Sequence, residues 1–281
     1  MSRTIFIGDV HGCIEELQHL IATVKPDATA GDRVIFVGDL VDKGPESLRA
    51  LRFARWITED WPGSVVVAGN HEEKALRFQK AGKLDKLKDQ SWVHDAEEAD
   101  WAFIEAMPLT WHDPELNVRV VHGGIFPALL QKHPDAFERI GARGLNWHKG
   151  GGKVMDRSRR MLRVRYVGGP QRDEKMQGDM LSLGANVEGD PFWAETYNGS
   201  QGFVIYGHSP WLDGKIAWSD RAVGIDTACV FGAKLTALVL DPEGSVCVRP
   251  GLAPTIGGVP YSVVSVDAEK QYAEPLIEGD E

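Results

Sequence analysis

The stretch TIFIGDVHG at residues 4–12 joins a short apolar run to a polar cluster bracketed by glycines. The same arrangement returns in RVIFVGDLVDKG at residues 33–44 and in SVVVAGNHE at residues 64–72. Short apolar runs rich in β-branched residues and followed by glycine are typical of buried strands that end in loops. The sequence therefore predicts three strands that deliver polar side chains at their carboxyl ends: Thr4–Ile7, Arg33–Val37 and Ser64–Ala68.

Helical patterns separate these strands. After the first strand, apolar residues recur at helical spacing from Ile14 to Val24. Pro45 is well placed to begin a second helix, because proline is favoured in the first turn, and Glu72–Phe78 reads as a third. This β-α-β-α-β order predicts an α/β layered fold with parallel strands.

The rest of the chain continues as one domain, residues 1–281, with two insertions near the active site. The first, at about residues 80–107, reads as a charged helical excursion, and the second, at about residues 141–186, is irregular and rich in Gly and Arg. The acidic segment after about Asp267 is expected to be loose. The remaining predicted elements are strands: Asn117–Val121, Gly202–Tyr206, Lys215–Trp218, Ala222–Ile225 and Leu235–Leu240.

Composition narrows the class of protein. The formal net charge of -10 makes the chain a poor general binder of nucleic acid, so a polyanionic substrate would need positive charge at the site itself. No stretch is long and apolar enough to span a membrane, and the pattern of a signal peptide is absent. Three scattered cysteines without a C-x-x-C pair favour a reducing compartment. We therefore expect a cytoplasmic protein without membrane partners.

Five polar clusters, each following an apolar run, carry the chemistry. Because ligands of open α/β sheets bind beyond the carboxyl ends of the strands, these clusters are expected to converge on one crevice. A single Gly-Asp pair is a common turn, so the signal lies in the ordered set. Mixed oxygen and nitrogen ligands without sulfur suit Mn, Fe, Zn, Co or Mg rather than copper. The clusters are Gly8–Gly12, Gly38–Gly44, Gly69–Glu72, His122–Gly124 and Gly207-His208.

The motifs GDVHG, GDLVDKG and GNHE resemble the signature of the calcineurin-like metallophosphoesterases, in their phosphoprotein phosphatase branch. LRVRY at residues 162–166 and GIDTAC at residues 224–229, followed by GAKLT at residues 232–236, resemble motifs of symmetrical diadenosine tetraphosphatases. The resemblance runs from Thr4 to about Leu240 and is nearest to the ApaH-like phosphatases.

This resemblance implies a two-sheet β-sandwich flanked by helices and two divalent metal ions, with manganese expected first. It implies that His71 is the general acid and that Asp42 orients it. Asp39 would bridge the two metals. The implied ligands of the first metal are Asp9, His11 and Asp39, and those of the second are Asp39, Asn70, His122 and His208.

Positive side chains are the candidates for substrate binding. Lys43 follows Asp42 and could face a phosphate, although protein serine/threonine phosphatases usually have Arg there. Arg163 and Arg165 would point to one side of an extended segment, where they could fork onto phosphates. The alternative for this arginine run is a solvated face.

The resemblance implies symmetrical hydrolysis of diadenosine tetraphosphate and related dinucleoside polyphosphates to ADP as the activity. A serine/threonine phosphoprotein phosphatase is the main alternative, so phosphoproteins remain open as partners. An RNA-cap or polyphosphate hydrolase ranks behind both. A binding module on an inactive scaffold ranks low, because every implied ligand and both members of the acid pair are present.

Overall fold

Two β-sheets face each other in the computed structural model, which describes residues 2–88, 90–140, 158–243 and 255–275. In the first sheet the strands follow the spatial order β10 (Thr255–Ile256), β11 (Val259–Asp267), β9 (Lys234–Leu240), β1 (Thr4–Ile7), β2 (Arg33–Phe36) and β3 (Val65–Val66). In the second the order is β4 (Thr110–Asp113), β5 (Val118–Val121), β6 (Phe203–Tyr206), β8 (Ala222–Gly224) and β7 (Ala217–Ser219).

The first half of the chain follows the predicted β-α-β-α-β order. Strands β1, β2 and β3 pair in parallel, and a helix follows each of them. The helices of the described residues are α1 (Ile14–Val24), α2 (Ser47–Asp60), α3 (Asn70–Lys80), α4 (Glu98–Ala106), α5 (Pro127–Lys132), α6 (Ala136–Ile140) and α7 (Trp193–Thr196). None of these helices is long and apolar enough to cross a membrane.

Alternate residues of the central strands pack into two different cores. Phe6 and Ile35 point between the sheets and pack with residues of the second sheet such as Val120. Ile5 and Ile7 belong to the core that also contains the apolar faces of α1 and α2. A strand that is buried on both faces needs apolar residues at successive positions, which explains the uninterrupted apolar run at Ile5–Ile7 in β1.

The structure contains strands that the sequence analysis did not anticipate. Strand β4 reads Thr-Trp-His-Asp, and β11 is half exposed along its length, so neither forms an apolar run. Both lie at or near a sheet edge, where one face meets solvent and the apolar signal is weak. The predicted strand Ser64–Ala68 is reduced to Val65–Val66.

Residues 268–275 pack against the body of the protein, where the sequence led us to expect a loose tail. The Tyr272 hydroxyl donates to Glu16 at 2.8 Å, and the backbone amides of Tyr272 and Ala273 donate to the carbonyl of Val230. The buried Glu16 carboxylate and the backbone carbonyl of the buried Val230 thus hold a segment for which the acidic composition alone suggested mobility. Residues 276–281 lie outside the described part of the chain.

The two predicted insertions differ in content. Residues 80–107 hold α4 and two short 3-10 turns, Leu84–Lys86 and Ser91–His94, in agreement with a helical excursion. Of the second insertion, residues 158–186 contain a 3-10 turn at Arg159–Leu162 and only isolated β-bridges. Residues 141–157, which include the first part of this insertion, lie outside the described residues.

Candidate active site

Loops at the carboxyl ends of four strands and the first turn of α3 meet at one place. His11, Asp39 and His208 all have positive φ angles, of 46°, 49° and 65°. Non-glycine residues at positive φ are uncommon and cost energy, so the surrounding structure must hold them there. At Gly207 a Cβ would collide with the Asp9 carboxylate, so only glycine lets this backbone approach so closely.

The Asp39 carboxylate lies at the centre of the site. Its Oδ2 is 3.2 Å from His122 Nε2, 3.5 Å from His11 Nε2 and 3.9 Å from His71 Nε2. Asp39 belongs to two sets of side chains that could hold a metal ion, one with His11 and His71 and one with His122 and His208. Within each set, the possible ligand atoms all lie within 4.8 Å of one another. Burial would raise the pKa of Asp39, but the imidazoles, led by that of His122, hold it well below its usual value.

Hydrogen bonds to backbone carbonyls orient two of these imidazoles. His11 Nδ1 lies 2.9 Å from the carbonyl oxygen of Val41, and His122 Nδ1 lies 2.9 Å from that of Val37. Because a carbonyl only accepts, each Nδ1 carries the hydrogen, and Nε2 is the atom turned toward Asp39. Burial opposes a charge on His122, but Asp39 raises the pKa of His122 to about 9. The negative charge of Asp39 would likewise attract a metal cation.

The Asp9 carboxylate provides the test of whether a cation fits. Its Oδ2 accepts the backbone N–H of His208 at 2.9 Å, while its buried Oδ1 has no hydrogen-bond partner among the described residues. Burial, followed by the charges of Asp226 and Asp39, places the pKa of Asp9 well above its usual value. A buried carboxylate oxygen without a donor is costly, and a bound cation would remove that cost.

The remaining predicted ligands complete the cluster. Asn70 Oδ1 lies 3.1 Å from His122 Nε2, and the ring of His208 meets that of His122 edge to face at 5.2 Å. The structure thus brings the six side chains predicted as ligands into one buried cluster of carboxylate, amide and imidazole groups. This donor set suits borderline divalent ions.

His71 is held beside the cluster by Asp42. Its Nδ1 lies 2.6 Å from Asp42 Oδ2, and its backbone N–H donates to Asp39 at 3.1 Å. Two further donors reach the same carboxylate: Gln90 Nε2 at 2.5 Å and Trp92 Nε1 at 2.6 Å. A carboxylate fixed by three donors fixes the imidazole that it binds.

Gln90 and Trp92 were not predicted at the site. Trp92 stacks on Trp101 within the charged excursion, with ring centroids 5.7 Å apart, and its indole N–H also reaches Asp42. Nearly fifty residues separate these donors from Asp42, so no local pattern shows the contact. The only signal was a polar residue and a tryptophan close together in an otherwise charged segment.

Glu72 is another residue whose role the sequence did not reveal. Its fully buried carboxylate accepts the backbone N–H groups of Asp39, Leu40 and Val41 from one loop and that of Gly69 from another. Burial, then the charge of Asp39, raises the pKa of Glu72 to about 7. Glu72 thus ties the loop that carries Asp39 to the start of α3, which carries Asn70 and His71.

The predicted substrate-binding cations lie around this cluster. Lys43 Nζ is 3.2 Å from His11 Nε2. Arg165 donates to the carbonyl of His208 at 3.2 Å, while its buried Nε has no partner among the described residues. Arg163 donates to the carbonyl of Asn70 at 3.3 Å and to Glu73 at 3.0 Å. Both arginines therefore reach the backbone of predicted metal ligands, and neither lies on a fully solvated face.

These features define the class of protein. The chain belongs to the calcineurin-like phosphoesterase family, whose model matches residues 2–237. Divalent metal ions are implied for this metallophosphoesterase family, and the Asp and His clusters are placed to hold them.

Relatives named as bis(5'-nucleosyl)-tetraphosphatases match most of this chain. An asymmetrical bis(5'-nucleosyl)-tetraphosphatase, PrpE, of Oceanobacillus iheyensis is 27% identical over 254 residues, or 82% of this chain and 86% of that protein. A symmetrical bis(5'-nucleosyl)-tetraphosphatase of Coxiella burnetii is 30% identical over 275 residues, or 86% and 89%. A solved structure described as a candidate diadenosine tetraphosphatase matches with a TM-score of 0.63 at 23% identity, over 95% and 93%. At this identity, the match to the solved structure shows that the two proteins share a fold.

Proposed function

We propose that this protein is a two-metal hydrolase that splits diadenosine tetraphosphate and related dinucleoside polyphosphates symmetrically, giving ADP. The observation that carries the proposal is the buried Asp39 carboxylate, which lies close to His11 and to His122 and His208, with the Asp42-bound His71 beside it. Relatives named for symmetrical and for asymmetrical cleavage both match. The symmetrical choice rests on the motifs LRVRY and GIDTAC.

Two cations would be held by the six side chains of the cluster: Asp9, His11, Asp39, Asn70, His122 and His208. Bound there, divalent cations would activate water and neutralise charge on the phosphoryl group. Manganese is our first choice of metal.

The chain's own residues supply the rest of the proposed chemistry. His71 donates a proton to the leaving oxygen, and Asp42 keeps its imidazole in the orientation for that transfer. Lys43, Arg163 and Arg165 bind phosphate oxygens around the cluster. The proposed reaction is direct attack of water on phosphorus, without a phosphoenzyme intermediate.

The test is hydrolysis of diadenosine tetraphosphate by the purified protein with added manganese, with the products resolved by chromatography. ADP alone supports symmetrical cleavage, whereas ATP with AMP would place the protein with the asymmetrical enzymes. His71→Asn should lower kcat by roughly 10²–10⁴-fold. His19→Asn, which changes an exposed histidine in α1, is the matched control and should leave kcat unchanged.

Phosphopeptides and inorganic polyphosphate belong in the same assay. Turnover of phosphoserine or phosphothreonine peptides without turnover of the dinucleotide would replace our proposal with a phosphoprotein phosphatase. The fold is compatible with that outcome, since a serine/threonine phosphatase of Saccharomyces cerevisiae matches with a TM-score of 0.53 at 15% identity, over 99% of this chain and 82% of that one.

A further inference from the structure

A cavity of about 260 Å³ opens directly beside the metal-ligand cluster. Lys43 and Arg165 line it, and the same two side chains contact His11 and the backbone of His208. Ser209, the residue after His208, also lines it. The cavity is therefore continuous with the place where a phosphoryl group would bind.

Aromatic side chains form much of its wall. Phe192 meets Tyr166 edge to face with ring centroids 5.9 Å apart, and meets Trp211 at the same distance. Phe231 lines another part of the cavity, with Lys43 Nζ 5.3 Å from its ring centroid. These residues come from four separate parts of the chain. Their rings offer flat apolar surface on which a planar heterocycle could stack.

The polar groups of the cavity favour an anion at one end. Lys43 and Arg165 are the charged residues that line it, and no acidic side chain of the described residues does. The buried Ser209 hydroxyl has no hydrogen-bond partner among the described residues. A ligand with an apolar planar group, a hydrogen-bonding edge and a phosphate chain would satisfy all of these features.

We propose that this cavity, which we call the aromatic cavity, binds one nucleoside end of the substrate. The base stacks against the aromatic wall, and the phosphate chain passes Lys43 and Arg165 to reach the cluster. Pockets for drug-sized ligands usually measure roughly 300–1,000 Å³, so about 260 Å³ suits one nucleoside rather than a whole dinucleotide. This inference rests on the proposed function and adds the means by which the protein selects nucleotides over other phosphates.

The exposed rim of the cavity is consistent with a ligand that binds reversibly and stays partly exposed to solvent. Leu212, next to Trp211, is 57% exposed, and Pro275 closes the wall from the packed tail of residues 268–275. An exposed leucine at the mouth of an aromatic cavity is apolar surface that a bound base and ribose would cover.

The experiment compares binding of ADP with binding of inorganic pyrophosphate by calorimetry, on the manganese-loaded protein. Trp211→Leu should weaken ADP binding about tenfold, since stacking on an aromatic ring is lost, and should leave pyrophosphate binding unchanged. Phe231→Leu should act in the same direction and provides a second variant if Trp211→Leu fails to fold. The matched control is Trp218→Leu, which changes a 45% exposed tryptophan outside the cavity and should alter neither affinity.

The outcomes separate this inference from the proposed function. Equal weakening of ADP and pyrophosphate binding, or no change in either, overturns the nucleoside site even if diadenosine tetraphosphate is hydrolysed. Selective loss of ADP binding supports the site even if the dinucleotide is not hydrolysed, in which case the proposed function alone falls. If ADP binding is unchanged while the variants lose turnover of phosphopeptides, the cavity binds peptide and the inference is wrong.

Discussion

The loops after β1 and β2 and the arginine-rich segment at residues 158–190 meet at the same site but are held there differently. The loops are fixed by backbone hydrogen bonds, for example from the amides of Val10 and His11 to the carbonyl of Asp39 at 3.1 and 2.8 Å. The segment combines backbone hydrogen bonds with ion pairs between side chains, in which Arg163 contacts Glu73 and Arg172 contacts Asp190.

We relate this difference to two roles: the loops carry the catalytic and metal-binding side chains, and the arginine-rich segment carries side chains for substrate binding. Backbone hydrogen bonds between adjacent loops place ligand atoms accurately and are insensitive to pH. Ion pairs of partly exposed arginines are weaker and are screened by salt. We therefore expect changes in the loops to abolish metal binding or catalysis, and changes in the arginine-rich segment to act on substrate affinity or local stability.

The largest effect is expected for Asp39→Asn. Its carboxylate faces three imidazoles, and an amide removes the charge that both groups of ligand atoms share. We expect kcat/KM to fall by roughly 10³-fold or more, together with loss of bound metal measured by elemental analysis. Full metal content with unchanged activity would show that Asp39 does not join the two groups.

Glu72→Gln should have the next largest effect. The substitution places an NH2 group against backbone N–H donors, so the loop that carries Asp39 loses acceptors without losing a metal ligand. We expect metal affinity to fall about 10–100-fold, as for other residues that orient ligands, and the free energy of unfolding to fall by about 1–3 kcal/mol. Metal titration and urea unfolding measure the two. Glu73→Gln, the adjacent buried carboxyl, is the control and should preserve metal affinity.

Arg165→Ala tests the other side of the comparison. We expect KM for the polyphosphate substrate to rise about tenfold with little change in kcat, because a charge-assisted hydrogen bond to phosphate is lost. Arg160→Ala removes a nearby arginine that pairs with Asp179 instead, and its KM should match that of the wild type. A drop in kcat without a change in KM would assign Arg165 to the transition state rather than to substrate binding.

The smallest effect on stability is expected at Asp190, which lies at the end of the arginine-rich segment and binds Arg172 within it. Arg172, with the N–H groups of Gly169 and Val187, holds the pKa of Asp190 well below its usual value of 3.8. A lowered pKa stabilises the folded state above pH 3.8, and this contribution is lost as the pH falls below that value.

Asp190→Asn should therefore lower Tm at pH 7 by about 2 °C, and the difference from wild type should shrink toward pH 3. Thermal melts followed by circular dichroism at both pH values measure it. An equal difference at the two pH values would mean that the charge of Asp190 does not contribute.

Much of the fold could be read from the sequence because its signals are local. Apolar runs followed by glycine gave β1 and β2, and helical spacing gave α1. Strand β11 was missed because it is half exposed and pairs with β9, and its burial pattern depends on that neighbour. The helical excursion was anticipated, but not that its Trp92 would reach Asp42.

The sequence by itself determined the family and the identity of the polar clusters, because each cluster is a contiguous motif at the end of a strand. Tertiary structure alone decided which atoms meet. Gln90 and Trp92 reach Asp42, and residues far apart in sequence, from Lys43 to Pro275, enclose the aromatic cavity. The physical reason is that a strand and its turn are specified by neighbouring residues, whereas a contact across about fifty residues exists only once the sheets and helices have packed.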